Sequence, residues 1–147
     1  MGNIYDYFSA PDDEAALAAQ ERGGPEEAGL PTLSAKGIDP CVELGKGQSL
    51  LTGLAYDDVV KLPRFADLLG DPEGANGILV TLADELRDAL ATATPELFRQ
   101  VAEPWSRIEE FPPGMYPEDL VAFLTELAEM AVRARSEGHR LYCVIFV

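Results

Sequence analysis

The stretch PEDLVAFLTELAEMAVRARSEGHRLYCVIFV, Pro117–Val147, decides the fold of this chain. Leu120, Leu124, Leu127, Ala131 and Ala134 recur at helical spacing, and Val121, Phe123 and Met130 widen the apolar stripe. Pro117 suits the first helical position, where its missing N–H removes no bond. Glu118 and Asp119 follow at the positive end of the helix, while Arg133 and Arg135 lie near its negative end. Gly138 is placed to take the left-handed conformation that stops a helix. The remainder, Arg140 to Val147, is rich in β-branched and aromatic residues, and such a run predicts a central strand buried on both faces.

Working outward, Gly2 to Ser9 reads as a first strand, with Ile4 and Phe8 on one face and Tyr5 and Tyr7 on the other. Asp12 or Asp13 caps a short helix through Ala15–Ala19, which Gly23, Gly24 and Pro25 stop. Residues 21–37 read as a mobile loop region, and Thr32 to Ile38 fits either a short edge strand or an extended loop. Asp39-Pro40 opens a helix that Gly53 closes, although Gly45 and Gly47 inside it each cost about 1 kcal/mol relative to alanine. Two short helical pieces, Asp57–Leu62 and Arg64–Leu69, are expected on either side of Pro63.

A second strand follows at Ile78–Leu82, and Thr81 with Asp84 resembles a capping box for the next helix. Thr94-Pro95-Glu96 opens another helix, which Pro104 ends or kinks, and Trp105 to Tyr116 is irregular. The expectation is one α/β (or α+β) domain over residues 1–147. It has a small mixed sheet with the N- and C-terminal strands central, flanked by helices.

Charge is the strongest compositional signal. The 26 acids against 11 bases give a formal net charge of -15, which opposes nucleic acid and anionic membranes and favours capture of a basic protein. Solubility in an acidic proteome would produce the same balance. A hydrophobic fraction of 47% fits a globular protein, and no apolar run reaches the length of a bilayer span. The N-terminus lacks the pattern of a secretory signal, and Asp6 stands where a myristoylation motif needs Ser or Thr. Cys41 and Cys143 lack metal-site spacing and read as thiols of a cytoplasmic protein.

Four features together resemble the YfbM-like family of uncharacterised small bacterial cytosolic proteins. They are the opening Met1-Gly2-Asn3-Ile4-Tyr5-Asp6-Tyr7-Phe8, Ile38-Asp39 leading into a helix that ends Leu51-Thr52-Gly53, a short strand followed by a helix, and the closing helix–Gly138-His139–strand. The family's tryptophan near the Ile-Asp helix is absent, and Cys41 to Lys46 stands there instead. The resemblance implies an α/β fold with a small mixed sheet and surrounding helices, and it implies no reaction.

Candidate sites are few. Gly45-Lys46-Gly47-Gln48-Ser49 lacks the longer glycine-led run that a phosphate loop needs. His139, the only histidine, has no partner nucleophile or metal-ligand set in the sequence. Cys143 falls in the apolar strand, and any helix-terminal activation of Cys41 is opposed by Asp39 and Glu43. No cofactor or metal is expected.

Trp105, Arg107, Glu109 and Glu110, with Tyr116 beyond them, carry the composition of a binding loop. The same residues also fit a loop anchored on the core by its tryptophan. Asp12, Asp13, Glu14, Glu21, Glu26 and Glu27 form an acidic N-terminal cluster. Two readings follow. One is an acidic protein-binding domain, an immunity or inhibitor protein among its versions, steered by the N-terminal carboxylates and packing around Trp105 and Tyr116. The other is a small enzyme or ligand-binding protein with a pocket near Trp105, Arg107, Glu109 and His139. A purely oligomeric role would require a large apolar interface between identical chains.

Overall fold

The computed structural model describes residues 2–147. The elements are β1 (Ile4–Ala10), α1 (Asp13–Glu21), β2 (Leu33–Lys36), α2 (Glu43–Thr52), α3 (Tyr56–Val59), β3 (Leu68–Leu69), β4 (Ile78–Thr81), α4 (Asp84–Thr92), α5 (Pro95–Trp105), α6 (Pro117–Glu137) and β5 (Arg140–Phe146). The strands form one sheet in the order β2-β1-β5-β4-β3. The N- and C-terminal strands are therefore neighbours in its middle, as their apolar content requires. Every pairing is antiparallel, so the sheet is not mixed. Pairing direction depends on how the connections cross the sheet, which strand composition does not encode.

The closing strand divides the interior. Leu141, Cys143 and Ile145 of β5 face a large core with Tyr5, Tyr7 and Val80, covered by α2, α4, α5 and α6. Tyr142 and Val144 face a smaller core with Phe8, Ala10 and Leu79, closed by Ala16 and Ala19 of α1. The alternation is the period of two that a strand imposes. The α6 stripe is buried at Leu120, Phe123, Leu124, Leu127, Ala131 and Ala134. At its end Gly138 has φ 71°, and the His139 N–H donates to the Ala134 carbonyl at 2.7 Å, the pattern of a Schellman stop.

Other local readings are corrected by tertiary contacts. Asp39 caps the turn that leads into α2, its carboxylate accepting from the Cys41 and Val42 N–H groups at 2.7 and 2.9 Å, and the helix itself starts later than expected, at Glu43, with no side-chain cap. The 21–37 stretch carries a turn in which Gly24 and Pro25 are buried, followed by β2 as an edge strand. No side chain caps α4. Thr81 instead donates its hydroxyl to the Arg64 carbonyl and accepts from the Asp67 N–H at 3.1 Å. Those ties hold Arg64 and Ala66 at φ 67° and 49°, so Arg64–Leu69 is not a helical piece. A left-handed conformation costs a side-chain-bearing residue about 1–2 kcal/mol, and it persists here because the surroundings fix it.

Pro104 lies inside the last turn of α5 rather than ending it, and Gln100, whose carbonyl loses its helical partner, is exposed. Trp105 is thereby the final helical residue, on the same stripe as Phe98, Val101 and Ala102, and it is 0% exposed. Its Nε1–H donates to the Glu43 carbonyl at 2.8 Å, and its ring packs against Phe111 and Phe123 at 5.7 and 6.3 Å between centroids.

Of the two glycines that weaken α2 as a helix, Gly45 is explained by the Tyr56 and Phe65 rings and Gly47 by the same tryptophan. A Cβ at Gly47 would lie 2.7 Å from Cε2 and 2.8 Å from Cζ2 of Trp105. Gly47→Ala is therefore expected to lower stability by about 1–3 kcal/mol in urea denaturation, as overpacking does. Helix propensity alone predicts a gain of about 1 kcal/mol, so the sign of the change decides between them.

Candidate functional site

The residues singled out from the sequence do not converge on one place. Trp105 is sealed in the core and offers no surface to a partner, because α5 continues through Pro104 and turns the ring onto α2. Arg107 is exposed and pairs with Glu103 one turn back at 2.9 Å. Glu110 pairs with Lys46 at 2.7 Å, and that hydrogen bond holds its carboxyl below the usual range. Glu109 is exposed, and Tyr116 is 64% exposed at the entrance to α6.

His139 lies beyond the far end of α6. Phe123, which touches Trp105, is separated from Glu137 by about 20 Å of helix axis. Trp105, Arg107, Glu109 and His139 therefore do not line one pocket. His139 instead borders a hollow of about 240 Å³ with Ser9, Met130 and Glu137, its Nδ1 3.5 Å from a Glu137 oxygen.

The cysteines are equally unsuited to nucleophilic work. Burial, reinforced by the Asp39 charge, pushes the Cys41 thiol up to about 11. Burial also raises Cys143 well above the ordinary thiol range. A thiol held in that form is a poor nucleophile near neutrality. Among the described residues, no group of three or more His, Cys, Asp or Glu is arranged to hold a metal ion, and no helix is long and apolar enough to cross a membrane.

The acidic N-terminal cluster divides into two parts. Asp12 is the α1 cap, its carboxylate accepting from the Ala15 N–H at 2.8 Å. Asp13 turns inward and meets Arg64 through two hydrogen bonds of 2.9 and 3.3 Å, while the Tyr142 hydroxyl donates to it at 2.7 Å. Glu14, Glu21, Glu26 and Glu27 remain exposed.

Arg64 is the constituent that sequence reasoning missed. Its guanidinium lies over the Tyr142 ring at 5.6 Å from the centroid, and its Nε is 3.9 Å from Asp84 Oδ1. Arg140 stands 3.5 Å from the other Asp84 oxygen, and Arg87 and Arg135 gather on Asp88 at 3.0 and 3.8 Å. Four of the chain's 11 basic residues are thus engaged at one end of the sheet. The Arg64 hydrogen bonds hold Asp13 ionised at a lowered pKa, whereas burial raises the Tyr142 phenol. Neither group is poised to exchange a proton near neutral pH, so this cluster locks the Arg64 loop and α1 to β5.

Two hollows flank the outer edge of β2. One, of about 350 Å³, lies between β2 and α6 and is bordered by Asp119 and Glu126. The other, of about 330 Å³, lies on the opposite face of the sheet beside Asp6 and Glu26. Asp6 is buried and accepts a hydrogen bond from the Ser34 hydroxyl at 2.5 Å.

The Asp13 pairing gives a pH test. Its pKa is lower folded than unfolded, so its contribution to stability is complete above the unfolded carboxyl pKa of about 3.9 and is lost as pH falls through the folded value. Asp13→Asn is expected to lower the melting temperature at pH 7 and to bring it closer to wild type as pH falls below about 4. A constant difference between the two proteins across that range would contradict the assignment. Comparison with protein-family models, with curated proteins and with solved structures gives no match to this chain.

Proposed function

We propose that this chain is a non-enzymatic, acidic protein-binding domain of the cytoplasm whose partner is a basic protein, an immunity or inhibitor protein being one concrete form. Kinship with the YfbM-like family belongs to the same proposal and adds no reaction. The observation that carries it is the distribution of charge. Ion pairs with Lys or Arg engage Asp13, Asp84, Asp88, Glu96, Glu103 and Glu110, and most of the 26 acids have no Lys or Arg partner among the described residues. Outside the cluster of Arg64, Arg87, Arg135 and Arg140 with Asp13, Asp84 and Asp88, 23 acids stand against seven bases, so the rest of the chain carries the excess of carboxylates.

Such a surface attracts a basic protein from beyond contact distance and speeds productive encounters. Exposed carboxylates of the N-terminal region, Asp12 and Glu14 among them, and the solvent-facing acids of α6 supply the field. Tyr116 is an aromatic contact available at the surface, a role that buried Trp105 does not share.

Affinity capture from native lysate tests this reading. Basic proteins are expected to be retained at about 0.1 M salt and released at about 1 M, where the screening length falls from about 10 Å to about 3 Å. Retention insensitive to salt, or no enrichment of basic proteins, would count against it.

A further inference from the structure

We infer that the outer edge of β2 takes up an extended, lysine- or arginine-rich segment of another protein as a sixth strand of the sheet. Its alternating side chains would reach carboxylates on both faces. The inference rests on the acidic protein-binding reading and names the surface through which it acts.

Four observations carry it. First, β2 pairs only with β1, so its other row of N–H and C=O groups has no backbone partner among the described residues. An unpaired edge is a template for strand addition. The opposite edge, β3, is two residues long and presents far less backbone.

Second, the two acidic hollows flank this one edge, on either face of the sheet. An added strand sends successive side chains to opposite faces. One set of basic side chains would meet Asp119 and Glu126, and the other would meet Glu26, with Asp6 buried behind Ser34.

Third, the charge excludes a second copy as the preferred occupant, since two chains of net charge -15 repel. Fourth, the one cation on the strand does not block it. Lys36, the last residue of β2 and opposite Ile4, borders both hollows, but carboxylates outnumber its one charge in each.

The probe is a blocked eight-residue peptide alternating lysine and valine, titrated into the full chain while amide exchange is followed by NMR. Saturable binding with slowed exchange confined to β2 amides, Leu33–Lys36, is expected. The same peptide with a central proline is expected to bind about tenfold or more weakly, because proline cannot donate to the ladder. Glu126→Lys and Glu26→Lys, one in each hollow, should each weaken binding about tenfold, whereas Glu73→Lys in the β3–β4 connection, which lines neither hollow, should not. Unchanged emission from buried Trp105 shows that each variant is folded.

Peptide binding that is indifferent to both reversals and leaves β2 exchange unaltered overturns the edge as the site while salt-sensitive capture stands. Paired copies of this chain joined through β2 overturn it as well. Loss of salt-sensitive capture for every basic protein sinks the underlying reading together with it.

Discussion

The structure depends on the burial of both faces of β5 between β1 and β4. A strand with Leu141, Cys143 and Ile145 on one side and Tyr142 and Val144 on the other needs a cover on each. α6 heads a layer of helices over the first side, and α1 closes the second. The order of the sheet follows, because the two most apolar strands belong side by side. Tyr142 also links this core to the charged cluster, since its ring lies beneath the Arg64 guanidinium and its hydroxyl reaches Asp13. Burial of the strand and immobilisation of the Arg64 loop are thus parts of one arrangement.

Much of this was legible in the residues. The α6 stripe, the Gly138 stop and the buried closing strand all rest on local chemistry that needs no distant partner. What was not legible depended on residues far away in sequence. Gly45 and Gly47 look like flaws in a helix until the Trp105, Tyr56 and Phe65 rings arrive against them. Arg64 sits at positive φ through ties to Thr81 and Asp13, which no local propensity announces. Trp105 is the instructive case. Its spacing from Phe98 and Val101 continues a helical stripe, but Pro104 obscures it, and an aromatic beside prolines looks the same whether it faces inward or outward.

The surface reading follows the same division. The excess of carboxylates is visible in composition, yet composition does not say which of them are paired. Packing draws Asp13, Asp84 and Asp88 onto a knot of arginines and leaves Glu26, Asp119 and Glu126 beside an open sheet edge. The interior keeps its reactive side chains in unreactive forms, with thiols and phenols raised by burial.

The central claim, that β5 is the locked interior strand on which the domain is built, is tested most directly by native-state amide hydrogen exchange. The amides of Leu141 to Ile145 should exchange only through global unfolding, with an opening free energy equal to that found by denaturant unfolding. Exchange of these amides as fast as those of the short edge strand Leu68–Leu69 would contradict the account.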